Sequence, residues 1–177
     1  DPLHGECPEQ RHVAPAGHAA EIDRLQTALA ETRRQISKIQ SQVQQVMGFS
    51  ESAIFDAHLL VLEDQTLLDE VKGFIEAENV NVDFAFHEVA EKYIDALGSV
   101  DDALLRERAA DIRDVTTRVL ANLTGRAEQD LSHLTEPYIL IGHDLSPSQT
   151  ASLNRELVQG FATDVGGKTS HTAIMAG

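Results

Sequence analysis

Apolar residues recur at intervals of three and four between residues 20 and 47, and Thr32 occupies the one weak position. Glu, Arg, Lys and Gln fill the faces between them. This spacing is typical of an amphipathic helix with a coiled-coil-like seam. It predicts a long helix of roughly seven turns, ended by Gly48. The predicted seam consists of Ile22, Leu25, Leu29, Ile36, Ile39, Val43 and Val46.

Four more helical segments follow, separated by short breaks, and Ser50 is the candidate N-cap of the first. They cover residues 50–64, 66–78, 81–98 and 101–124. In the last segment, which Gly125 ends, the predicted buried side consists of Leu104, Leu105, Ile112, Val115, Val119, Leu120 and Leu123. The short connections predict an all-helical unit packed as antiparallel hairpins.

Near the end of the chain the apolar residues no longer follow the three-four spacing of a helix. Residues 138–141 follow Pro137 as a short apolar run that indicates a buried strand. A helix is predicted from Ser146, a second strand from residue 158, and another helix from residue 170. This order favours an α/β layer. Since two strands alone do not make a stable sheet, we expect the chain to be a piece of a longer protein, cut at both ends.

Composition narrows the function classes. The chain carries 14 Lys and Arg against 29 Asp and Glu, a formal charge of −15, which argues against nucleic acid and anionic membranes as partners. No apolar run approaches a membrane span, and the acidic start does not resemble a signal peptide. A single cysteine fits a reducing cytoplasm. We expect no metal site, because the spacing of His4, Cys7, His12 and His18 matches no standard zinc pattern.

The segment "GGKTSHT" combines a glycine turn with the predicted start of a helix. Glycines allow a close backbone approach, and the first helical amides favour an anion. An imidazole within such a cradle, here His171, can attack a phosphoryl group whose oxygens the cradle then holds. The cradle residues are Gly166, Gly167, Lys168, Thr169, Ser170 and Thr172. A histidine that merely caps the helix explains the spacing equally well.

The segment "GGKTSHTAIMA" resembles the active-site signature of Enzyme I, the phosphoenolpyruvate-protein phosphotransferase of the bacterial sugar phosphotransferase system. "AIFDAHLLVLED", "ERAADIRDVTTRVLANL" and "DLSPSQTASLN" resemble the same family, in the same order. The related dikinases, pyruvate phosphate dikinase and phosphoenolpyruvate synthase, share the histidine segment but lack the helical insert. The resemblance runs from about residue 20 to the end.

The resemblance implies a helical, HPr-binding-like bundle inserted in a swivelling phosphohistidine α/β domain, which is incomplete here. The expected organisation is an irregular or partial α/β start (1–19), the helical subdomain (20–125) and the α/β subdomain (126–177). His171 would accept the phosphoryl group from phosphoenolpyruvate and pass it to the phosphocarrier protein HPr, with Thr150 close by. Phosphoenolpyruvate and Mg²⁺ would bind a barrel domain outside these residues, so no cofactor is expected in this chain.

The resemblance also implies a docking surface for HPr on the helices. Its residues would be Ala53, Ile54, Asp56, His58, Leu60, Val61, Asp64, Leu67, Leu105, Arg108 and Arg113. Without the resemblance, the stripe of Ile54, His58 and Val61 is more typical of a core than of an interface. Two alternatives stay open: the phosphohistidine domain of a dikinase-like enzyme, and a non-catalytic helical interaction module.

Overall fold

The structure, a computed structural model, describes residues 7–125, 136–142, 150, 153 and 156–163. Within these ranges the chain forms a run of helices followed by two β-strands. None of the described helices has both the length and the apolar character needed to cross a membrane.

The first long helix, α1, spans His18–Met47 and confirms the helix predicted from the apolar stripe. Gly48 follows with a φ of +104°, a left-handed value that favours glycine, and the helix ends there. The last predicted seam residue is wrong: Val46 is 72% exposed. The helical period brings Met47, four residues after Val43, against the core in its place.

The remaining helices agree with the predicted segments, with one correction. They are α2 (Phe49–Ser52), α3 (Ile54–Leu62), α4 (Gln65–Glu78), α5 (Val82–Gly98) and α6 (Ala103–Thr124). The segment predicted as one helix from Ser50 is two helices that meet at Ala53. Ser50 is not an N-cap, because the chain already turns at Gly48 and Phe49 begins α2.

Two aspartates fix the starts of later helices. The Asp64 carboxylate accepts a hydrogen bond from the Leu67 amide at 3.1 Å, at the start of α4. The Asp102 carboxylate accepts hydrogen bonds from the Leu104 and Leu105 amides at 2.8 and 3.2 Å, at the start of α6. These carboxylates satisfy amides that have no partner within the helix.

The helices pack around one core. α5 packs against α4 and α6, while α1 packs against α2, α3 and α6, and α3 also contacts α6. Since three or four residues join α4 to α5 and α5 to α6, these neighbours run antiparallel. Aliphatic side chains fill the core together with Phe55 and Phe86. Leu104, predicted to be buried, is 64% exposed, because the buried stripe of α6 begins only at Ala109.

The start of the described chain lies against the connection between α4 and α5. His12 and Val80 form an isolated antiparallel bridge. The side chain of Asn81 accepts a hydrogen bond from the Arg11 amide at 2.8 Å and donates one to the Glu9 carbonyl at 3.0 Å. A single 3₁₀ turn, Pro15–Gly17, then leads into α1.

Two strands, β1 (Tyr138–Gly142) and β2 (Val158–Thr163), pair in parallel. Both predicted segments are confirmed as strands over the described residues, but the predicted burial of the first does not hold at Ile139, which is 65% exposed. Parallel strands need a long crossover connection, and residues 143–157 are long enough to provide one. The helices predicted from Ser146 and from residue 170 lie outside the described residues, apart from isolated positions. The parallel pair is the part of the α/β layer that the structure describes.

Candidate partner-docking site

The predicted phosphoryl-accepting segment, residues 166–172 with His171, lies outside the described residues. Thr150, its predicted neighbour, is described: it is helical and 4% exposed. The proximity of Thr150 to His171 stays a prediction. The geometry of the predicted HPr contacts, in contrast, can be read on the helices.

We call the exposed residues of α3 and its two ends the outer face, made of Ala53, Asp56, Leu60, Glu63 and Asp64. Leu60 is its apolar centre and is 64% exposed. Ile54 and Val61 are half-buried and pack against the core from the edges of this face. The outer face therefore combines one large exposed apolar side chain with three carboxylates.

Two predicted contact residues lie in the core instead, so their assignment to the surface is corrected. His58 is 1% exposed and its ring meets Phe55 edge-on, with centroids 5.4 Å apart. Its Nε2 lies 3.3 Å from Asp111 of α6, and its Nδ1 lies 3.8 Å from Asp114. Leu67, at 5% exposure, belongs to the same core. These positions face inward because α3 and α4 bury that side against the bundle.

The predicted contacts on α6 lie at or near the surface. Leu105 is half-buried, while Arg108 and Arg113 are exposed. The Arg113 guanidinium pairs with Glu91 of α5 at 3.3 Å. Arg108 makes no ion pair within the part of the chain that the structure describes. Arg108 is exposed, so a partner can reach its guanidinium.

Sequence reasoning missed an apolar surface at one end of the bundle. Contacts of Arg24 with Leu123 and of Gln35 with Arg118 show that α1 and α6 run in opposite directions. The end of α1 therefore lies at the same end of the bundle as the start of α6. The large exposed apolar side chains there, which we call the apolar end, are Val46, Phe49, Val100 and Leu104. A phenylalanine directly after a helix-ending glycine was the signal that could have found it.

Polar contacts hold the three carboxylates of the outer face, which form its acidic rim, in place. Gln40 of α1 donates to Asp56 at 2.7 Å. Arg33 of α1 pairs with Glu63 at 2.6 Å. Asp64 caps α4 through its own carboxylate. Arg33 offsets the charge of Glu63, so Asp56 and Asp64, on a chain of net charge −15, give this face its negative potential, which favours a basic partner and speeds its association.

Two family models match the chain. The PEP-utilising enzyme N-terminal model matches residues 2–108, which include α1 to α5. The PEP-utilising enzyme mobile-domain model matches residues 134–177, which include both strands and the "GGKTSHT" segment.

Curated relatives carry the name phosphoenolpyruvate-protein phosphotransferase. That of Geobacillus stearothermophilus is 46% identical over 95% of this chain, and that of Bacillus subtilis (strain 168) is 45% identical over 89%. The chain spans 29% and 28% of the lengths of these two relatives, less than a third of each.

Solved structures agree with the sequence relatives. An NMR solution structure of Enzyme I matches 97% of this chain and 69% of its own, with a TM-score of 0.81 and 39% identity. The N-terminal domain of Enzyme 1 - Nitrogen matches 95% of this chain and 67% of its own, with a TM-score of 0.69 and 26% identity. The chain belongs to the Enzyme I family of PEP-utilising enzymes, and corresponds to its N-terminal region.

Proposed function

We propose that this chain carries the phosphohistidine and the docking surface of a phosphoenolpyruvate-protein phosphotransferase. In this proposal His171 receives a phosphoryl group derived from phosphoenolpyruvate and delivers it to HPr, the first relay step of sugar uptake. The helical bundle holds HPr through the outer face of α3 and the neighbouring residues of α6.

The observation that carries the proposal is the exposed Leu60 ringed by carboxylates. An isolated exposed leucine is ordinary on a protein surface. Here it lies on a short helix whose other side is buried, and Asp56, Glu63 and Asp64 surround it. An apolar centre with a charged rim is the usual anatomy of a protein–protein interface. The family resemblance gives HPr basic residues around its own active histidine, which complement this rim.

The transfer itself is an in-line displacement in this proposal. The phosphorus–nitrogen bond to His171 breaks, and its electron pair stays on the His171 imidazole. A new phosphorus–nitrogen bond forms to the histidine of HPr. Backbone amides and hydroxyls of residues 166–172 would hold the phosphoryl oxygens, so the protein contributes mainly by positioning and by stabilising negative charge.

Phosphoenolpyruvate and Mg²⁺ enter the proposal through the resemblance alone. It assigns both to a barrel domain outside these 177 residues. Within this chain the "GGKTSHT" segment supplies neutral hydrogen-bond donors and one cation, which suit a phosphoryl group. It contains no carboxylate, the anionic oxygen ligand by which Mg²⁺ is usually held. In this proposal His171 is the nucleophile that takes the phosphoryl group as the enolate of pyruvate leaves, and residues 166–172 then hold the phosphoryl oxygens on His171.

A titration with HPr from Bacillus subtilis tests the docking part. We expect the amide signals of the outer face to shift on addition of HPr, and those around Glu76 to stay unchanged. Glu76 is exposed on α4, twelve residues after Asp64, or about 18 Å along the helix. Unchanged signals across the outer face would refute the docking proposal and would favour the dikinase-like alternative or the interaction module.

A further inference from the structure

We propose that the side chains of Cys7, His87 and Glu88 form a binding site for a zinc ion, which links the start of the chain to α5. Neither the family resemblance nor the docking proposal assigns a role to these residues. Eighty residues separate Cys7 from His87, and Glu88 follows directly, yet the three donor atoms all lie within 4.8 Å of one another.

The distances fit a shared ion. The Cys7 sulfur lies 3.8 Å from Nδ1 of His87, and the same Nδ1 lies 3.4 Å from Oε1 of Glu88. A tetrahedral zinc ion with Zn–S of about 2.3 Å and Zn–N or Zn–O of about 2.0–2.2 Å places its donors roughly 3.3–3.7 Å apart. The imidazole nitrogen already faces both other donors, so small side-chain rotations bring the three onto one ion.

The backbone holds Cys7 in register with α5. Asn81 stands at the start of α5 and is hydrogen-bonded through its side chain to the Glu9 carbonyl and the Arg11 amide. His87 lies six residues further along the helix, or about 9 Å. Cys7 lies two residues before Glu9, a reach of about 7 Å in extended chain. The two segments therefore bring the thiol and the imidazole together without the metal.

The donor chemistry suits zinc better than Mg²⁺ or Ca²⁺. A thiolate with an imidazole suits Zn²⁺ and disfavours Mg²⁺ and Ca²⁺, which prefer oxygen ligands. One thiolate and one carboxylate also balance the charge of the ion, and the thiol releases its proton on binding. Cys7 and Glu88 are exposed, so solvent can reach the fourth position. The His18 imidazole is engaged elsewhere, in a 3.0 Å contact with Asn79, and His12 is not among the donors that lie within 4.8 Å of one another.

Cobalt substitution tests the site, because Co²⁺ takes zinc positions and reports its ligands in absorption. The protein, kept reduced with a phosphine, is titrated with Co²⁺ and then with Zn²⁺ against a chromophoric zinc indicator. We expect one ion per chain, visible bands of tetrahedral cobalt, a near-ultraviolet band from the thiolate, and a thermal unfolding midpoint that rises with Zn²⁺.

Variants identify the ligands. Cys7→Ser should abolish the thiolate band. Removing a residue that only orients a metal ligand typically weakens metal binding about 10- to 100-fold. Cys7→Ser and Glu88→Gln each remove a ligand itself, so each should weaken Zn²⁺ binding by that much or more. Both positions are exposed, so neither change threatens folding. His12→Ala, an exposed histidine of the same segment, is the matched control and should bind as the parent does. Absence of the thiolate band, or equal affinity in Cys7→Ser, would overturn the proposal.

Discussion

His58 either stabilises the fold from within the core or contacts HPr directly. The substitution His58→Ala distinguishes these two roles. The resemblance puts His58 on the HPr surface, but the structure buries its ring between Phe55 and two carboxylates of α6. If the structure is right, the substitution removes a contact between α3 and α6. Stability should fall, while the affinity of the folded protein for HPr should change little.

Two interactions of the imidazole set the size of the effect. A hydrogen bond to a charged group, here Asp111 at 3.3 Å, contributes about 1.5–3 kcal/mol. The edge-on packing against Phe55 adds about 0.5–1.5 kcal/mol. The free energy of unfolding should therefore drop by about 3 kcal/mol, roughly a hundredfold in the unfolding equilibrium. For a chain of this size the thermal midpoint should fall by about 6–12 °C.

Urea unfolding followed by circular dichroism measures the change, and calorimetry with HPr measures binding. We expect the midpoint to move by about 1–2 M at a constant slope. Leu60→Ala is the matched control, because Leu60 is two residues away and 64% exposed. It should leave stability within about 0.5 kcal/mol and weaken HPr binding about tenfold. Unchanged stability with weakened HPr binding in His58→Ala would refute the core placement.

Three further predictions concern charge, titration and helix propensity. Asp56→Lys should slow association with HPr at low salt, because it reverses a charge on the outer face. Glu76→Lys, away from that face, should have a much smaller effect. Stopped-flow association rates that fall equally in both variants would contradict steering by the outer face. Glu70 accepts a hydrogen bond from the Tyr93 hydroxyl at 2.7 Å, which raises the pKa of Tyr93 and lowers the pKa of Glu70. The pair therefore stabilises the fold between about pH 5 and pH 10, and this stabilisation is lost as the pH falls below that window or rises above it. Glu70→Gln should return the pKa of Tyr93 towards its ordinary value, as tyrosinate absorbance would show, and an unchanged titration would contradict the contact. Gly73 lies within α4, and a Cβ added there meets nothing within 4 Å. Gly73→Ala should therefore raise the free energy of unfolding by about 0.5–1 kcal/mol, as urea unfolding measures. A loss of stability would contradict this.

Local pattern was enough to predict most of the fold. The three-four stripe predicts α1, and the turn residues place the later helices to within a few residues, because those signals act over one or two turns. The break at Ala53 has no such signal, since neither proline nor glycine marks it. The inward side of α3 also escaped local reasoning. Ile54, His58 and Val61 share one stripe, and only packing against α6 decides which of them is buried.

The candidate sites also differ in whether local sequence was enough to predict them. The "GGKTSHT" segment is contiguous, so its chemistry can be argued from sequence, and the role of His171 stays a prediction. The cluster of Cys7 with His87 could not be foreseen, because its members meet only after the chain start docks on Asn81. Spacing within the first residues cannot detect a cluster whose members lie eighty residues apart.

Phosphoryl transfer from HPr is the measurement that tests the central proposal most directly. The protein is mixed with phosphorylated HPr at neutral pH and examined by intact mass spectrometry, a reaction that does not need phosphoenolpyruvate. We predict one acid-labile phosphoryl group on the chain, present in Thr150→Ser and missing in His171→Ala. Transfer that persists in His171→Ala, or no transfer while HPr binds and the chain is folded, would contradict the assignment of His171 as the phosphoryl carrier.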